Sequence, residues 1–236
     1  MSTDSDRHNP FAQPEHAQGY DVWYATPLGA AMDRAQKSLV WQLAQPKAGE
    51  SALDVGTGTG NYACELAQRG LQVVGRDPSE AMLAVARQKP CDVTWERGVA
   101  EELPYADGRF DLVLSVTALE FMADPEQALA EMVRVAKPGG RVVIGTLNTA
   151  SPWGALYAQQ AADPASPFYG ANLYTPERFA VLLSHASNGH STSARWSSAG
   201  FVPPSGRYLA WADLLEAWGR RFRKRQGALL VGRIDT

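Results

Sequence analysis

The stretch Leu53-Asp54-Val55-Gly56-Thr57-Gly58-Thr59-Gly60-Asn61-Tyr62 decides the fold. A short apolar run (Ala52, Leu53, Val55) reads as a buried strand. It breaks into a turn with glycines at 56, 58 and 60, and a helical pattern starts directly behind it. Glycine belongs where backbone turns sharply or approaches a ligand, because a Cβ would obstruct it. A strand feeding such a turn and then a helix N-terminus opens a nucleotide-binding α/β unit. The spacing is G-x-G-x-G. Position 61, where a dinucleotide fingerprint needs its third glycine, is Asn. The next apolar run (Leu71, Val73, Val74) ends close to Asp77, where a ribose-binding acid is expected. Together these features point to an adenosine-containing ligand; a tight structural turn is the plainer alternative.

Downstream, apolar runs and helical stripes alternate. Strands are expected at 71–75, 92–95, 110–116 and 141–147, with Lys137-Pro138-Gly139-Gly140 turning the chain before the last of these. Ser79 is a candidate N-cap for the helix that Pro90 stops. Thr175-Pro176-Glu177 opens a helix that Asn188-Gly189 closes, and Trp211, Leu214, Leu215 and Trp218 mark another. A strand within 190–202 and a final one at 228–234 complete the set. The pattern predicts an α/β fold: a doubly wound, mostly parallel, seven-stranded Rossmann-like sheet with an antiparallel last strand.

The 236 residues suit one domain. Residues 1–19 read as a flexible tail, with no apolar core of a secretory signal. Residues 20–236 form the domain: a cap helix region (20–49), a ligand-binding half (50–148), and an insertion with closing strands (149–236). A net charge of −3 argues against a general nucleic-acid binder. No apolar run approaches a membrane span. Cys64 and Cys91 form neither a metal spacing nor a disulfide framework, which fits a reducing, cytoplasmic setting. The basic run Arg220-Arg221-Phe222-Arg223-Lys224-Arg225 reads as a solvated helix end, favoured by the helix dipole. An acidic acceptor, an anionic membrane surface or RNA is the alternative, with no support elsewhere in the sequence.

Four stretches carry a resemblance to a known family: LDVGTGTGNY (53–62), VVGRDPSEAML (73–83), GVAEELPYADGRFDLVLS (98–115) and EMVRVAKPGGRVVIGTLN (131–148). In their order they resemble the class I S-adenosylmethionine-dependent methyltransferases, of the broad ubiquinone/menaquinone-biosynthesis-like (methyltransferase type 11) group. The resemblance implies S-adenosyl-L-methionine as cofactor and S-adenosyl-L-homocysteine as product. It implies backbone contacts from Gly56, Thr57, Gly58 and Gly60, an Asp54 that orients the loop and receives the amino group, and an Asp77 that binds both ribose hydroxyls. Pro78 would border the adenine, and Ser115, Val116 and Thr117 would floor the site. The family commonly places an acid before Ala100 for the adenine amino group; here it is Val99, so recognition falls to backbone near Ala100 and Glu101 or to another side chain.

The acceptor side is less specific. Tyr20, Trp23 and Tyr24 are either a staple on the domain surface or a lid, and Trp153 and Tyr174 are candidate pocket walls. The implied acceptor is a small or lipid-like molecule, methylated by in-line displacement. Candidate general bases are His185, His190, Glu120 and Tyr174, none of which the sequence singles out. Two other classes stand beside this one: a non-catalytic cofactor-binding or scaffolding domain, and an NAD-dependent oxidoreductase, which Asn61 argues against.

Overall fold

The structure is a computed structural model that describes residue 11, residues 13–187 and residues 194–236. The glycine stretch is flanked as its pattern demands. β1 (Ser51–Val55) enters the turn and α3 (Asn61–Gln68) leaves it. Two helices precede β1: α1 (Pro14–Tyr20) and α2 (Pro27–Ala44). Thr26 caps α2 by accepting from the Gly29 amide, and Pro27 fills its first turn, where no amide is needed. After α3 come β2 (Gln72–Asp77), α4 (Glu80–Ala86), β3 (Val93–Arg97), β4 (Phe110–Val116), α5 (Pro125–Val135) and β5 (Ala136–Leu147). Then follow α6 (Gly154–Ala162), α7 (Pro176–Ser187), β6 (Ala194–Ala199), α8 (Ala212–Phe222) and β7 (Leu229–Asp235). Ser79 caps α4 by accepting from the Met82 amide, as its position predicts.

The seven strands form one sheet in the order β3-β2-β1-β4-β5-β7-β6. β1 to β5 pair in parallel, and β7 runs antiparallel to both β5 and β6. The predicted mostly parallel sheet with an antiparallel last strand is therefore what forms. Strand order reverses between β1 and β4, and ligands of such sheets bind outside the carboxyl ends of the strands at that point.

Parallel crossovers are right-handed, so helices connecting strands that progress in opposite directions cover opposite faces. One face is packed by Leu39 and Val40 of α2 with Ala63 and Leu66 of α3. The other is packed by Leu129 and Met132 of α5 with Phe179 and Leu183 of α7. A third cluster, Met32, Leu147, Trp153, Tyr157, Val202 and Ala228, joins α2 and α6 to the carboxyl ends of β5 and the stretch before β7.

Three expectations need correction. The polar stretch read as a tail contains α1 from Pro14 onward, whose Ala17 is buried. Cys64 of α3 and Cys91, in the loop between α4 and β3, are joined as a disulfide with Cα atoms 5.3 Å apart. The β1-to-β2 and β2-to-β3 crossovers advance the same way across the sheet, which brings α3 and the end of α4 together on one face. A separation of 27 residues shows nothing of this proximity, and the cysteines give no argument for a reducing compartment. Finally, Lys137–Gly140 does not precede β5 but bulges within it: Phe110 pairs with Ala136 and Leu112 with Arg141. The helix end expected at Asn188-Gly189 lies outside the described residues.

Candidate active site

A cavity of about 950 Å³ opens at the carboxyl ends of β1, β2 and β4. A second, shallower hollow lined by Ser51, Asp111 and Lys137 lies at the opposite, amino-terminal ends of the strands. The large chamber has a polar end and an aromatic end, and the glycine turn builds the first. Gly56 sits at φ +70° with its Cα facing Ala118, so that a Cβ there would lie 2.3 Å from the Ala118 Cβ. Gly58 sits at φ +55°, and a Cβ on it would meet nothing within 4 Å. Gly58 borders the chamber, so the missing side chain leaves room for a ligand against bare backbone.

Asp77, at the end of β2, grips this turn from below. Its Oδ2 accepts from the Gly58 amide at 2.8 Å and its Oδ1 from the Ser79 amide at 2.8 Å. Each oxygen keeps a further lone pair for a ligand hydroxyl. Asp54 accepts from the Thr57 hydroxyl at 2.7 Å. Burial pushes Asp54 up to about 7, helped by the like charge of Asp77, and pushes Asp77 itself up to about 6. These features fit the methionyl and ribose groups of S-adenosylmethionine: acidic acceptors for an ammonium and two hydroxyls, and a side-chain-free turn between them.

The shifted carboxyls give a pH prediction. An ammonium and donated hydroxyl hydrogens favour ionised carboxylates, so binding expels protons that the free protein holds at low pH. Affinity for S-adenosylhomocysteine should rise with pH through about 6 and about 7 and flatten above, a gain on the order of tenfold per unit for each proton released. Titration calorimetry in buffers of different ionisation enthalpy measures this proton release. The ligand-free fold behaves oppositely: both carboxyls are raised above the ordinary 3.8, so their contribution to stability is full below that value and lost as pH rises through about 6 and about 7.

The adenine end departs from the expected acid. Val99 lines the chamber, and the Arg76 guanidinium lies behind the loop, donating to the Val99 carbonyl at 3.3 Å. A Cβ on Gly98 would collide with that guanidinium. The Glu101 carboxylate turns away to accept from the Ala123 and Asp124 amides. One oxygen of the Glu101 carboxylate is thereby engaged, and Val99, Ala100 and Glu101 line the chamber with Pro78.

The structure brings Asp54, Gly56, Thr57, Gly58, Asp77, Pro78, Ala100, Glu101, Val116 and Thr117 to the chamber. It does not bring Gly60 or Ser115 there. Gly60 serves the turn, packing under the Trp95 ring, where a Cβ would lie 2.4 Å from the indole. Ser115 alternates to the other face of β4 from Val116 and is fully buried. Thr117 holds φ +53°, unusual for a β-branched residue, and lines the chamber.

The N-terminal segment forms the aromatic end. Tyr20, Trp23 and Tyr24 line the chamber with Trp153 of the insertion. The Tyr20 hydroxyl is hydrogen-bonded to Tyr24 and Thr117, and burial raises both tyrosines. This N-terminal segment therefore lies against the chamber. Asp21 latches it: its carboxylate accepts from the Thr59 hydroxyl, the Asn61 amide and the Lys89 ammonium, at 2.8, 2.9 and 2.8 Å. Asn61, the residue in place of a third glycine, also accepts from Lys89 at 2.6 Å. Tyr174 does not join the wall. It is buried beside Phe179 in the core of the opposite face, bridged to Asn148, with Arg178 over its ring.

Of the candidate bases, His185 is exposed on α7, and His190 lies outside the described residues. Glu120 is buried, its Oε1 accepting from the Thr146 hydroxyl and the Leu147 amide, and it does not border the chamber. The sequence reading missed Phe11 and His16, both of which line the chamber. His16 lay in the stretch taken for a tail, and only the helical spacing Ala17–Tyr20 hinted at a buried face there.

Comparison with known proteins agrees with this geometry. Residues 53–144 match the methyltransferase domain family. A demethylmenaquinone methyltransferase of Deinococcus radiodurans is 41% identical over 216 residues, 87% of this chain and 81% of that protein. An uncharacterized protein of Mycobacterium tuberculosis is 34% identical over 81% of this chain, which spans 64% of that relative's length. A solved Thermotoga maritima structure, described as a SAM-dependent methyltransferase and possible histamine N-methyltransferase, superposes with a TM-score of 0.72 at 25% identity, covering 97% of this chain and 99% of that one. The chain belongs to the class I S-adenosylmethionine-dependent methyltransferases of the ubiquinone/menaquinone-biosynthesis-like group.

Proposed function

We propose that the protein transfers a methyl group from S-adenosylmethionine to an uncharged, largely apolar acceptor of small-molecule or lipid-like type. One observation carries this reading: a single chamber joins the acidic glycine cradle to an aromatic compartment, and among the described residues no Lys or Arg lines it. A carboxylate or phosphate acceptor would arrive there with no Lys or Arg to pair with, at a desolvation cost that a paired charge offsets. Tyr20, Trp23, Tyr24 and Trp153 offer instead large contact area to an apolar body.

The bound cofactor supplies a methyl group already activated on a sulfonium. The chain's own work is placement. Asp54 and Asp77 fix one reactant, the aromatic walls fix the other, and Thr117, bonded to the Tyr20 hydroxyl, lines the same chamber. Such alignment contributes on the order of 7–11 kcal/mol in favourable intramolecular systems. The lid latched by Asp21 excludes water while the reactants are held.

The name of the Deinococcus relative makes a demethylmenaquinol the first acceptor to try. Mass detection should show one methyl added to the acceptor with stoichiometric S-adenosylhomocysteine. Binding of S-adenosylhomocysteine without transfer to any neutral acceptor would move the non-catalytic reading to the front. Displacement of bound NAD rather than S-adenosylhomocysteine would favour the oxidoreductase.

A further inference from the structure

The lid, the latch and the chamber leave α8 unexplained. Nine large apolar side chains are exposed among the described residues, and five of them fall between 208 and 222: Tyr208, Trp211, Leu214, Trp218 and Phe222, each at least half exposed. Trp211, Leu214, Trp218 and Phe222 follow one another at three- and four-residue steps, so they form one stripe along the helix. The side of α8 that adjoins this stripe is the packed one: Ala212 and Leu215 join the cluster of Trp153 and Tyr157, and Gly219 lies against the Phe201 ring. The stripe thus runs along the exposed flank of a helix whose inner side is already packed.

Cations surround that stripe. Residues 207–225 hold six Lys or Arg and two acids, in a chain whose net charge is −3. Arg220 turns inward, donating to the Ala35 carbonyl and to Glu216. Arg225 pairs with Glu177 at the surface. Arg221, Arg223 and Lys224 are exposed, and the Arg223 guanidinium lies 5.6 Å from the centre of the Trp218 ring. Tryptophan and phenylalanine flanked by arginine and lysine suit one environment above others, the headgroup and upper acyl region of an anionic bilayer.

We propose that the outer face of α8 docks the protein on anionic lipid surfaces, with Trp211, Leu214, Trp218 and Phe222 inserted at the interface and Arg221, Arg223 and Lys224 among the headgroups. Lipid fits better than the alternatives. RNA would use the cations but give Leu214 and Phe222 nothing to bury. A second copy docked by the same face would oppose two basic clusters. No helix among the described residues is long and apolar enough to cross a membrane, so the association is peripheral. The proposal does not depend on the acceptor, but it has a geometric bearing on it: α8 shares a packed cluster with Trp153 and Tyr157, which line the chamber.

The test is co-sedimentation of the full chain with vesicles of phosphatidylcholine alone or mixed with phosphatidylglycerol. Binding should require phosphatidylglycerol and weaken at high salt, with tryptophan emission shifting to the blue on the vesicle. Replacing Trp211 and Trp218 together by Ala should weaken partition about tenfold or more. Arg221→Glu with Lys224→Glu should do likewise, each cation counting for roughly fivefold. All four side chains are exposed, and unchanged circular dichroism and S-adenosylhomocysteine binding would certify the fold. No partition onto phosphatidylglycerol at low salt overturns the proposal, as does partition that the Trp variants leave unaltered. Tighter binding to single-stranded RNA, or a dimer that dissociates in the Trp variant, would assign the face to those partners instead.

Discussion

Replacing Asp77 by Ala should weaken S-adenosylhomocysteine binding by about 100-fold or more, from the loss of two charge-assisted hydrogen bonds worth about 1.5–3 kcal/mol each. The loss has two sources. The carboxylate would no longer meet the ribose, and the Gly58 and Ser79 amides that it holds would be freed. Asp77→Asn separates them. Its carbonyl oxygen can still accept from one of those amides, so the turn should be better kept than in the Ala variant, while the charge is gone. An Asn variant as impaired as the Ala variant would place the effect in the charge; a nearly normal Asn variant would place it in the shape of the turn. Calorimetry at a pH above about 7 measures the ionised form of the wild type. Wild-type affinity in the Ala variant would remove Asp77 from the cofactor site.

Arg141→Met should destabilise the fold by about 3–5 kcal/mol, with cofactor affinity unaltered in the protein that stays folded. The Arg141 side chain is buried, and its N–H groups donate to both oxygens of Glu50 and to the carbonyls of Ala44, Gln45 and Asp111, at 2.6 to 3.0 Å. It thereby joins the end of α2 and the start of β1 to β4 and β5. Removing it leaves Glu50 without the guanidinium that holds its carboxyl below the ordinary range against the effect of burial. Urea unfolding of Arg141→Met, Glu50→Gln and the double variant measures the coupling. The double variant should cost less than the sum, because neither charge is then stranded. Strict additivity would mean that the pair does not act as a unit.

How legible the site was in the sequence depended on how local its signals were. The glycine turn, Asp77 and the Ser79 cap each belong to one strand–turn–helix unit, where spacing alone fixes geometry. Ser115 and Tyr174 were misplaced for a different reason. Which side of a strand faces a cavity, and which aromatic of an insertion folds inward, are set by packing partners far along the chain. The Cys64–Cys91 bond and the latch of Asp21 on Thr59, Asn61 and Lys89 likewise join segments that only the sheet order brings together. The stripe on α8 shows the converse. Helical period marks Trp211 and Trp218 as one face, but it cannot tell whether anything covers that face.

The position of β7 also bears on how the chain is made. Although β7 follows every other strand in sequence, it lies between β5 and β6. On a ribosome, the five parallel strands and the glycine cradle can assemble while β5 still shows an open edge. β6 emerges with no neighbour to pair with until residues 229–235 arrive. The strands that carry the glycine cradle therefore precede the closing pair β6 and β7. A nascent chain in that interval presents an unpaired edge of Val142, Val143 and Ile144 to whatever is nearby, a natural point for chaperone engagement or for mispairing with another chain.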